Sequence, residues 1–377
     1  MSISVCLRPT KTLDYLHGGG HVSFFLNWAG GLQSVGCRII WLEEVPTNLS
    51  LTEVRSAVAT LKSYLQPYGL DKTLALCSGD GEDLSDELLG DCLDLQAATE
   101  TDLLLNMRYD VRQSVVNRFR RTALIDIDPG LLQLWASKGR INLARHDSYL
   151  TIGETVGQPD ALFPDCGVRW HYTPPPVFLP AWPPAKADPS APYTTVSQWW
   201  GEYLELGDDY FDNSKRVSFL DYVDLPSRTP VRLELALCMG RSEHEERKLL
   251  ESKGWKIRDA WNEIPTPEQY RTYLQQSRGE FSCAKRSCMR LQNAWISERT
   301  LCYLATGKPA IVQHTGPSRF LPDNEGLLRF RSLEEAASLL DLAESDYERH
   351  SLAARALAEE YFDAQKVAAR VLEVALA

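Results

Sequence analysis

The sequence has no excess of basic residues, and this shortage excludes the partners that a positively charged face attracts. Lysine and arginine number 40 against 51 aspartates and glutamates, which gives a formal net charge of −11 and an isoelectric point near 5.2. Nucleic acids and anionic membranes bind proteins through clustered positive charge. We therefore expect no nucleic-acid partner, although a small basic pocket for a nucleotide is compatible with this composition.

Long hydrophobic runs and paired cysteine motifs are also missing. No stretch reaches the roughly 18 apolar residues of a membrane span, and the N-terminus lacks a signal-peptide pattern, so we expect no integral membrane segment. The nine cysteines are scattered without a CxxC pair, which gives no zinc-finger spacing. Unpaired thiols are typical of a reducing compartment, and we predict a cytoplasmic protein.

The length of 377 residues predicts two domains. The segment Thr173–Pro192, TPPPVFLPAWPPAKADPSAP, is dominated by proline. Proline removes a backbone donor and restricts the preceding residue, so this segment is not helical and reads as a stiff linker. The predicted division is an N-terminal domain over residues 1–175, a linker over 176–192, a C-terminal domain over 193–345 and C-terminal helices over 346–377.

The N-terminal half begins with the pattern of a Rossmann-like unit. A β-rich stretch at 2–7 precedes the loop HGGGH, an apolar helix over about 22–34, and a second strand over 37–42. The loop is not a GxGxxG, so a dinucleotide site is weakly indicated. Gly19 and Gly20 allow a ligand to approach the backbone closely, and His21 opens the helix. The alternative is a solvent-exposed turn.

Two further stretches of this half carry possible proton acceptors. Asp126 and Asp128 lie in the strand ALIDID and precede Pro129-Gly130, so Asp128 falls at a strand carboxyl end. Asp128 is a candidate general base or a candidate residue for holding the acceptor substrate. The alternatives are that it is the N-cap of the next helix or that the D-x-D motif binds a metal ion. His146 is a second candidate base because Asp147 is adjacent, and a structural histidine is its other reading.

The stretch from Glu280 to Gly316 predicts one βαβ unit. Its strands are expected at 281–284 and 309–313, with an amphipathic helix over 295–305 that ends at Gly307. Helix starts and strand carboxyl ends bind anions in open parallel sheets. The polar residues at these ends could point at one diphosphate; they are Lys285, Ser297, Arg299, Thr315 and Gly316. The alternative is an ordinary α/β crossover with a tight glycine turn.

The segment Trp295–Gly316, WISERTLCYLATGKPAIVQHTG, resembles the donor-binding half of glycosyltransferases of the GT-B fold, in a bacterial branch of that fold. The segments at 321–322, 325–330 and 333–336 continue the likeness. The resemblance implies an α/β protein of two Rossmann-like domains facing across a cleft. The N-terminal domain would bind the acceptor, the C-terminal domain would bind a nucleotide sugar, and the last helix would pack back on the N-terminal domain.

The resemblance further implies transfer of a sugar from a nucleoside-diphosphate sugar to an acceptor nucleophile, such as a hydroxyl of a small molecule or natural product. Lys285, Arg299 and the helix start at Ser297 would stabilise the departing diphosphate, so neither a metal nor a cofactor beyond the donor is expected. Three more residues of the C-terminal domain are candidate donor contacts; they are Thr195, Ser197 and Gly240. Three residues are candidate bases, in order of preference; they are Asp128, His146 and His21.

Two other functions fit the same pattern. A GT-B-fold sugar-nucleotide epimerase would bind the same donor without an acceptor, and a non-catalytic nucleotide-sugar-binding protein would keep the fold without the base. Release of nucleoside diphosphate separates the three, because a transferase releases it only when an acceptor is present, apart from slow hydrolysis. The sequence leaves open the identity of the sugar, the identity of the nucleotide base, the stereochemical outcome and the oligomeric state.

Overall fold

Parallel β-sheets organise the chain into two compact units in this computed structural model, which describes residues 2–240, 243–322 and 325–377. The first unit comprises Met1–Phe178 with Asp363–Ala377, and the second comprises Leu179–Phe362. The division after Phe178 falls inside the proline-rich segment. Val177 lies before this division and Trp182 lies after it, and both are buried. Each part of the proline-rich segment therefore packs against its own unit.

The first unit contains a seven-stranded parallel sheet. Its strands are β1 (Ser4–Arg8), β2 (Arg38–Glu44), β3 (Leu74–Cys77), β4 (Leu103–Asn106), β5 (Thr122–Asp126), β6 (Ser148–Thr151) and β7 (Trp170–Tyr172), in the order β3-β2-β1-β4-β5-β6-β7. Strands β1, β4 and β5 are buried along their whole length. Such strands read as near-continuous apolar runs because helices cover both faces of a parallel sheet.

The helices of the first unit are α1 (Gly19–Ser34), α2 (Leu51–Leu65), α3 (Asp86–Leu89), α4 (Leu95–Thr99), α5 (Gln113–Val116) and α6 (Leu131–Ser137). The C-terminal helix of the chain, Ala364–Leu376, also lies in this unit. It packs on α1 so closely that a Cβ at Gly31 would lie 2.5 Å from the carbonyl oxygen of Ala364. The backbone N–H of Ala364 donates to the carbonyl of Val177 at 3.0 Å, which fixes the start of the helix.

The second unit contains a six-stranded parallel sheet and a separate hairpin. The strands are β8 (Tyr193–Gln198), the hairpin strands β9 (Tyr203–Leu206) and β10 (Asp209–Asp212), β11 (Leu233–Cys238), β12 (Lys256–Asp259), β13 (Gly279–Ser282), β14 (Ala310–Gln313) and β15 (Leu327–Phe330). The sheet order is β12-β11-β8-β13-β14-β15. In both sheets the first strand of the unit lies in the middle and the strand order reverses beside it, which is the Rossmann arrangement.

The helices of the second unit are α7 (Lys215–Leu220), α8 (His244–Ser252), α9 (Ala260–Glu263), α10 (Pro267–Gln276), α11 (Arg286–Leu291), α12 (Glu298–Ala305), α13 (Leu333–Ser345) and α14 (Tyr347–Tyr361), and the C-terminal helix is therefore α15. Aromatic stacking fills this core, where the rings of Phe281 and Phe330 lie 5.3 Å apart and nearly parallel. No helix among the described residues is long and apolar enough to cross a membrane.

The central βαβ unit forms as the sequence predicts, with shifted bounds. Helix α12 begins at Glu298 rather than at Trp295, because Ser297 is its N-cap and accepts from the backbone of Arg299. A short helix, α11, lies in the connection between β13 and α12. Gly307 has a φ of +73°, the left-handed conformation that ends helices. In the first unit α1 begins at Gly19, so the glycine loop is partly helix.

Candidate functional site

The carboxyl ends of β8 and β13 lie side by side where the strand order of the second sheet reverses. Three connections leave this edge: the segment from β8 through the hairpin to α7, the segment from β13 through α11 to α12, and residues 314–316 after β14. In open α/β sheets ligands bind at this position. Five of the predicted donor residues lie on these connections or at their ends; they are Lys285, Ser297, Arg299, Thr315 and Gly316.

Lys215, the first residue of α7, brings an ammonium group to this edge that sequence reasoning missed. Its Nζ lies 5.7 Å from the ring centroid of Trp295. Within residues 2–240, 243–322 and 325–377 it makes no hydrogen bond or ion pair. Burial lowers the pKa of Lys215 to about 7, and the positive charges of Arg299 and Lys285 lower it further against the opposing effect of Glu298. The Lys215 side chain is partly buried, and a partly buried cation favours an anionic ligand.

Lys285, a predicted phosphate ligand, is the N-cap residue of α11 and lies near Lys215, whose pKa it lowers. Its side chain is partly buried, and in the described part of the chain it has no carboxylate partner. Two ammonium groups thus share the edge without an ion pair to neutralise them. This pair makes the edge a candidate anion-binding site.

Arg299, also a predicted phosphate ligand, is instead held inside the fold. Its Nε donates to Glu280 at 2.8 Å, its Nη1 donates to the carbonyl of Val196 at 2.8 Å, and its Nη2 donates to the hydroxyl of Ser282. The side chains of Arg299 and Glu280 are 8% and 0% exposed. Its guanidinium therefore ties β8 to β13, and the prediction that it binds phosphate directly needs correction.

Ser297, Thr315 and Gly316 fix the loop that carries Trp295. The hydroxyl of Thr315 donates to the carbonyl of Trp295 at 2.7 Å, and Ser297 caps α12. Gly316 has a φ of +133°, and a Cβ there would lie 2.6 Å from the carbonyl oxygen of Gln292. These three residues shape the edge through loop geometry, and the phosphate contacts predicted for them stay predictions.

The predicted donor residues of β8 lie within the strand rather than in the loop after it. Thr195 is fully buried and its hydroxyl has no partner among the described residues, whereas the hydroxyl of Ser197 donates to the carbonyl of Gln198 at 2.8 Å. Gly240 follows β11 and approaches Glu243 so closely that a Cβ would lie 2.7 Å from its Oε2. Thr195 and Ser197 thus lie in β8, and the donor contacts predicted for them and for Gly240 stay predictions.

In the first unit, Asp126 is buried at the end of β5 and holds the following turn together. Its Oδ2 accepts from Gln133 and Thr151, each at 2.9 Å, and its Oδ1 accepts from the backbone of Asp128 at 3.0 Å. Burial raises the pKa of Asp126 to about 7. Both of its oxygens are thus used within the fold. Among the described residues no group of three or more potential metal ligands occurs.

Asp128 is the first choice among the three predicted bases. It is partly buried, and its Oδ2 accepts from the hydroxyl of Tyr109 at 3.4 Å. The N-cap of α6 is Gly130, with a φ of +85°, so the alternative role of Asp128 as a helix cap is wrong. Tyr109 also accepts from the backbone of Ile127 at 2.8 Å and so holds the turn in place.

The two histidines are both occupied by neighbours. Nδ1 of His146 donates to the carbonyl of Ala144 at 2.8 Å, and Nε2 accepts from Asn106 at 3.2 Å. Burial lowers the pKa of His146 to about 4. Asp147 does not contact His146 but accepts from the backbone N–H and hydroxyl of Thr122. A neutral imidazole whose acceptor nitrogen is occupied is a poor base, so the geometry disfavours the predicted role of His146.

His21 and the glycines before it lie in the first turn of α1 rather than in a loop. Nε2 of His21 lies 2.8 Å from the carbonyl oxygen of Thr10, and its ring packs edge-on against Phe25 at 5.1 Å. Gly19 and Gly20 are the first two residues of the helix, after the N-cap Gly18. The expected glycine loop is therefore a helix start, and the ligand contact predicted there stays a prediction.

Comparisons with known proteins identify the fold. No family model and no curated protein matches the sequence. An alpha-glucosyltransferase solved with UDP and a 13-mer DNA superposes with a TM-score of 0.63 at 13% identity over 100% of both chains. Anabaena HepE with UDP and glucose gives 0.56 at 11% identity over 98% of both chains. A glycosyltransferase from Rickettsia africae gives 0.51 at 12% identity over 99% of this chain and 97% of the other. The predicted α/β architecture of two Rossmann-like domains, the GT-B fold, is confirmed.

Proposed function

We propose that this chain is a glycosyltransferase that moves a sugar from a nucleoside-diphosphate sugar to an acceptor hydroxyl. The observation that carries the proposal is the ammonium of Lys215, which has no ion-pair partner among the described residues and lies near Lys285 at the switch point of the second sheet. Several proteins that share the fold were solved with UDP or UDP-glucose, so UDP-glucose is the first donor to test. The epimerase and binding-protein alternatives gain no specific support from this geometry.

The proposed reaction breaks the bond between the anomeric carbon and the phosphate oxygen and forms a bond to the acceptor oxygen. Negative charge grows on the departing diphosphate, and fixed positive charge in a partly dry site stabilises it more than water does. Lys215 and Lys285 supply that charge, so we propose a reaction without a divalent metal. Asp128 is the proposed acceptor of the hydroxyl proton. The nine cysteines form no disulfide among the described residues, which supports a reducing, cytoplasmic location for the protein.

Thermal stability in the presence of nucleotides tests the donor site. We expect UDP to raise the melting temperature without magnesium, since a ligand at about 100 times its dissociation constant adds roughly 2.7 kcal/mol of stability. The diphosphates of guanosine, thymidine, adenosine and cytidine are the matched controls. Release of UDP from UDP-glucose is then measured with and without acceptor sugars. Absence of a shift with every nucleotide contradicts the proposal, and a shift that requires magnesium contradicts its metal-independent form.

The affinity for UDP is expected to fall as the pH rises from 7 to 9. The free protein has a Lys215 pKa of about 7, lowered by burial, and a bound diphosphate favours the ammonium and so raises that pKa. The affinity for UDP is therefore highest below pH 7. It falls above pH 7, by at most about tenfold per pH unit. Phosphate groups titrate near pH 6, so the charge of the ligand changes little across this window.

Titration calorimetry at pH 7, 8 and 9 measures this dependence. Lys215→Arg is the informative comparison, because arginine stays charged throughout and is expected to give a flatter profile. A wild-type affinity that does not change between pH 7 and pH 9 would show that Lys215 does not bind the phosphates.

A further inference from the structure

The hairpin β9–β10 interrupts the second unit between β8 and α7 and has two different faces. Leu204 and Phe211 on one face are 2% and 7% exposed and pack inward. Tyr203 and Tyr210 on the other face are 54% and 71% exposed. Their rings stack with centroids 5.2 Å apart and planes 20° apart. The hairpin thus presents a preformed pair of parallel aromatic rings to solvent.

The hairpin is anchored at the carboxyl edge of the sheet, where the proposed donor site lies. Arg290 of α11 places its guanidinium 4.0 Å from the ring centroid of Phe211 and pairs with Asp209 at 2.7 Å. The chain leaving the hairpin runs through Asn213, whose Oδ1 accepts from the backbone of Ser287 at 2.8 Å, directly into Lys215. The outward face is therefore held by the same elements that hold the unpaired ammonium groups.

Exposed aromatic side chains are confined to this part of the molecule. In the described chain the aromatic residues with large exposure are Trp200, Tyr203, Tyr210, Trp261 and Phe320. They follow the carboxyl ends of β8, β12 and β14, and no comparable aromatic residue is exposed in the described part of the first unit. Tyr203 and Tyr210 stack on each other, and an exposed stacked pair of this kind is a candidate binding surface.

The charge of the hairpin selects among ligands with flat or apolar faces. Residues 202–212 include five carboxylates and no lysine or arginine; the carboxylates are Glu202, Glu205, Asp208, Asp209 and Asp212. Asp209 and Asp212 pair with Arg290 and Arg216, and the segment itself offers no basic side chain of the kind that nucleic acids and other polyanions need. A pyranose ring has an apolar C–H face, which stacks on an aromatic ring. It also has hydroxyl groups, which donate hydrogen bonds to carboxylates. Neutral carbohydrate matches both properties.

We propose that the outward face of the hairpin binds a neutral glycan, which makes the acceptor of the reaction an oligosaccharide chain. This inference rests on the proposed glycosyltransferase function and names its acceptor class. The stacked pair Tyr203 and Tyr210 holds one or two pyranose rings of the chain. An acceptor chain held there is positioned on the unit that binds the donor.

Binding of neutral hexasaccharides to the full chain tests the inference. Maltohexaose, cellohexaose and chitohexaose are titrated by calorimetry against the wild type and the double variants Tyr203→Ala/Tyr210→Ala and Tyr203→Phe/Tyr210→Phe. We expect at least one hexasaccharide to bind. The alanine pair is expected to weaken it at least about tenfold, while the phenylalanine pair, which keeps both rings, stays within about threefold. Leu352→Ala, an exposed residue of α14, is the matched control.

UDP binding, measured on the same samples, separates failure of the inference from failure of the proposed function. Retained UDP binding in the alanine pair shows that the fold and donor site are intact. If the wild type binds UDP but no hexasaccharide, or if the alanine pair binds hexasaccharide like the wild type, the inference is wrong and the proposed function stands. A 13-mer DNA or a heparin hexasaccharide that binds more tightly than every neutral hexasaccharide also overturns it. If hexasaccharides bind through the tyrosines but UDP does not bind, the glycan-binding surface is supported and the proposed donor site is wrong.

Discussion

Replacement of Arg299 by alanine is expected to lower the free energy of unfolding by about 3–5 kcal/mol, because it leaves a buried carboxylate without its partner. Glu280 is completely buried, and its Oε1 is paired with the Nε of Arg299 at 2.8 Å. The same guanidinium satisfies the carbonyl of Val196 and the hydroxyl of Ser282. Urea denaturation of the variant should show a lower midpoint, with the loss confined to the transition of the second unit.

Two companion variants test whether the buried pair is the cause. Arg228→Ala removes an exposed arginine of the same unit and is expected to change stability by less than about 0.5 kcal/mol. The double variant Arg299→Met/Glu280→Leu removes both charges, and it should recover part of the loss, since apolar replacement of a buried ion pair is often neutral. A stable Arg299→Ala protein that has lost only UDP binding would restore the direct phosphate role that the sequence suggested.

The central βαβ unit could be predicted because its signals are local. The apolar periodicity of α12, the left-handed Gly307 that ends it and the β-rich stretch of β14 all lie within a few residues of the feature that they indicate. The role of Arg299 depends instead on Glu280, a residue of another strand, and on the burial of both. A sequence shows that a basic residue opens a helix but not that a carboxylate lies beneath it.

The hairpin shows a signal that was present but overlooked. Tyr203–Leu206 and Asp209–Asp212 alternate inward and outward residues around Gly207-Asp208, and Gly207 has a φ of +61°. A two-residue turn with a leading glycine between alternating runs predicts a hairpin. Because the hairpin lies between β8 and α7, it also separates Lys215 from the strand in sequence. The expectation that donor contacts directly follow the strand therefore pointed to Thr195 and Ser197 instead.

The choice of His146 as a base fails for a similar reason. His146 was favoured because Asp147 is its neighbour in sequence, but successive side chains point in different directions, and Asp147 bonds to Thr122 on the adjacent strand. The partner of His146 is Asn106, which is distant in sequence. Asp128 keeps its role as the proposed base because the turn after β5, held by Asp126 and Tyr109, leaves its carboxylate partly exposed.

Replacement of Lys215 by methionine is expected to weaken UDP binding by about 10- to 100-fold. Hydrogen bonds to charged groups contribute about 1.5–3 kcal/mol, and each 1.4 kcal/mol is a factor of ten in affinity. Methionine keeps most of the apolar volume, so the contact with Trp295 is retained while the charge is lost. Calorimetric titration with UDP at pH 6.5, where the wild-type ammonium is present, measures the effect. Lys248→Met, which changes an exposed lysine of α8, is the matched control.

The same variant is expected to raise thermal stability, or leave it unchanged, in the absence of ligand. Burial lowers the pKa of Lys215 to about 7 from an unfolded value near 10.5, so the unfolded chain binds more protons between these values. The ammonium form of Lys215 therefore lowers the free energy of unfolding. This destabilisation has its full size below pH 7 and disappears as the pH rises towards 10.5. Removing the charge at pH 6.5 relieves that penalty. Weaker UDP binding by a protein that melts no lower than the wild type identifies a residue kept for its ligand. Lower stability together with unchanged affinity for UDP would instead identify a structural lysine and contradict the proposed donor site.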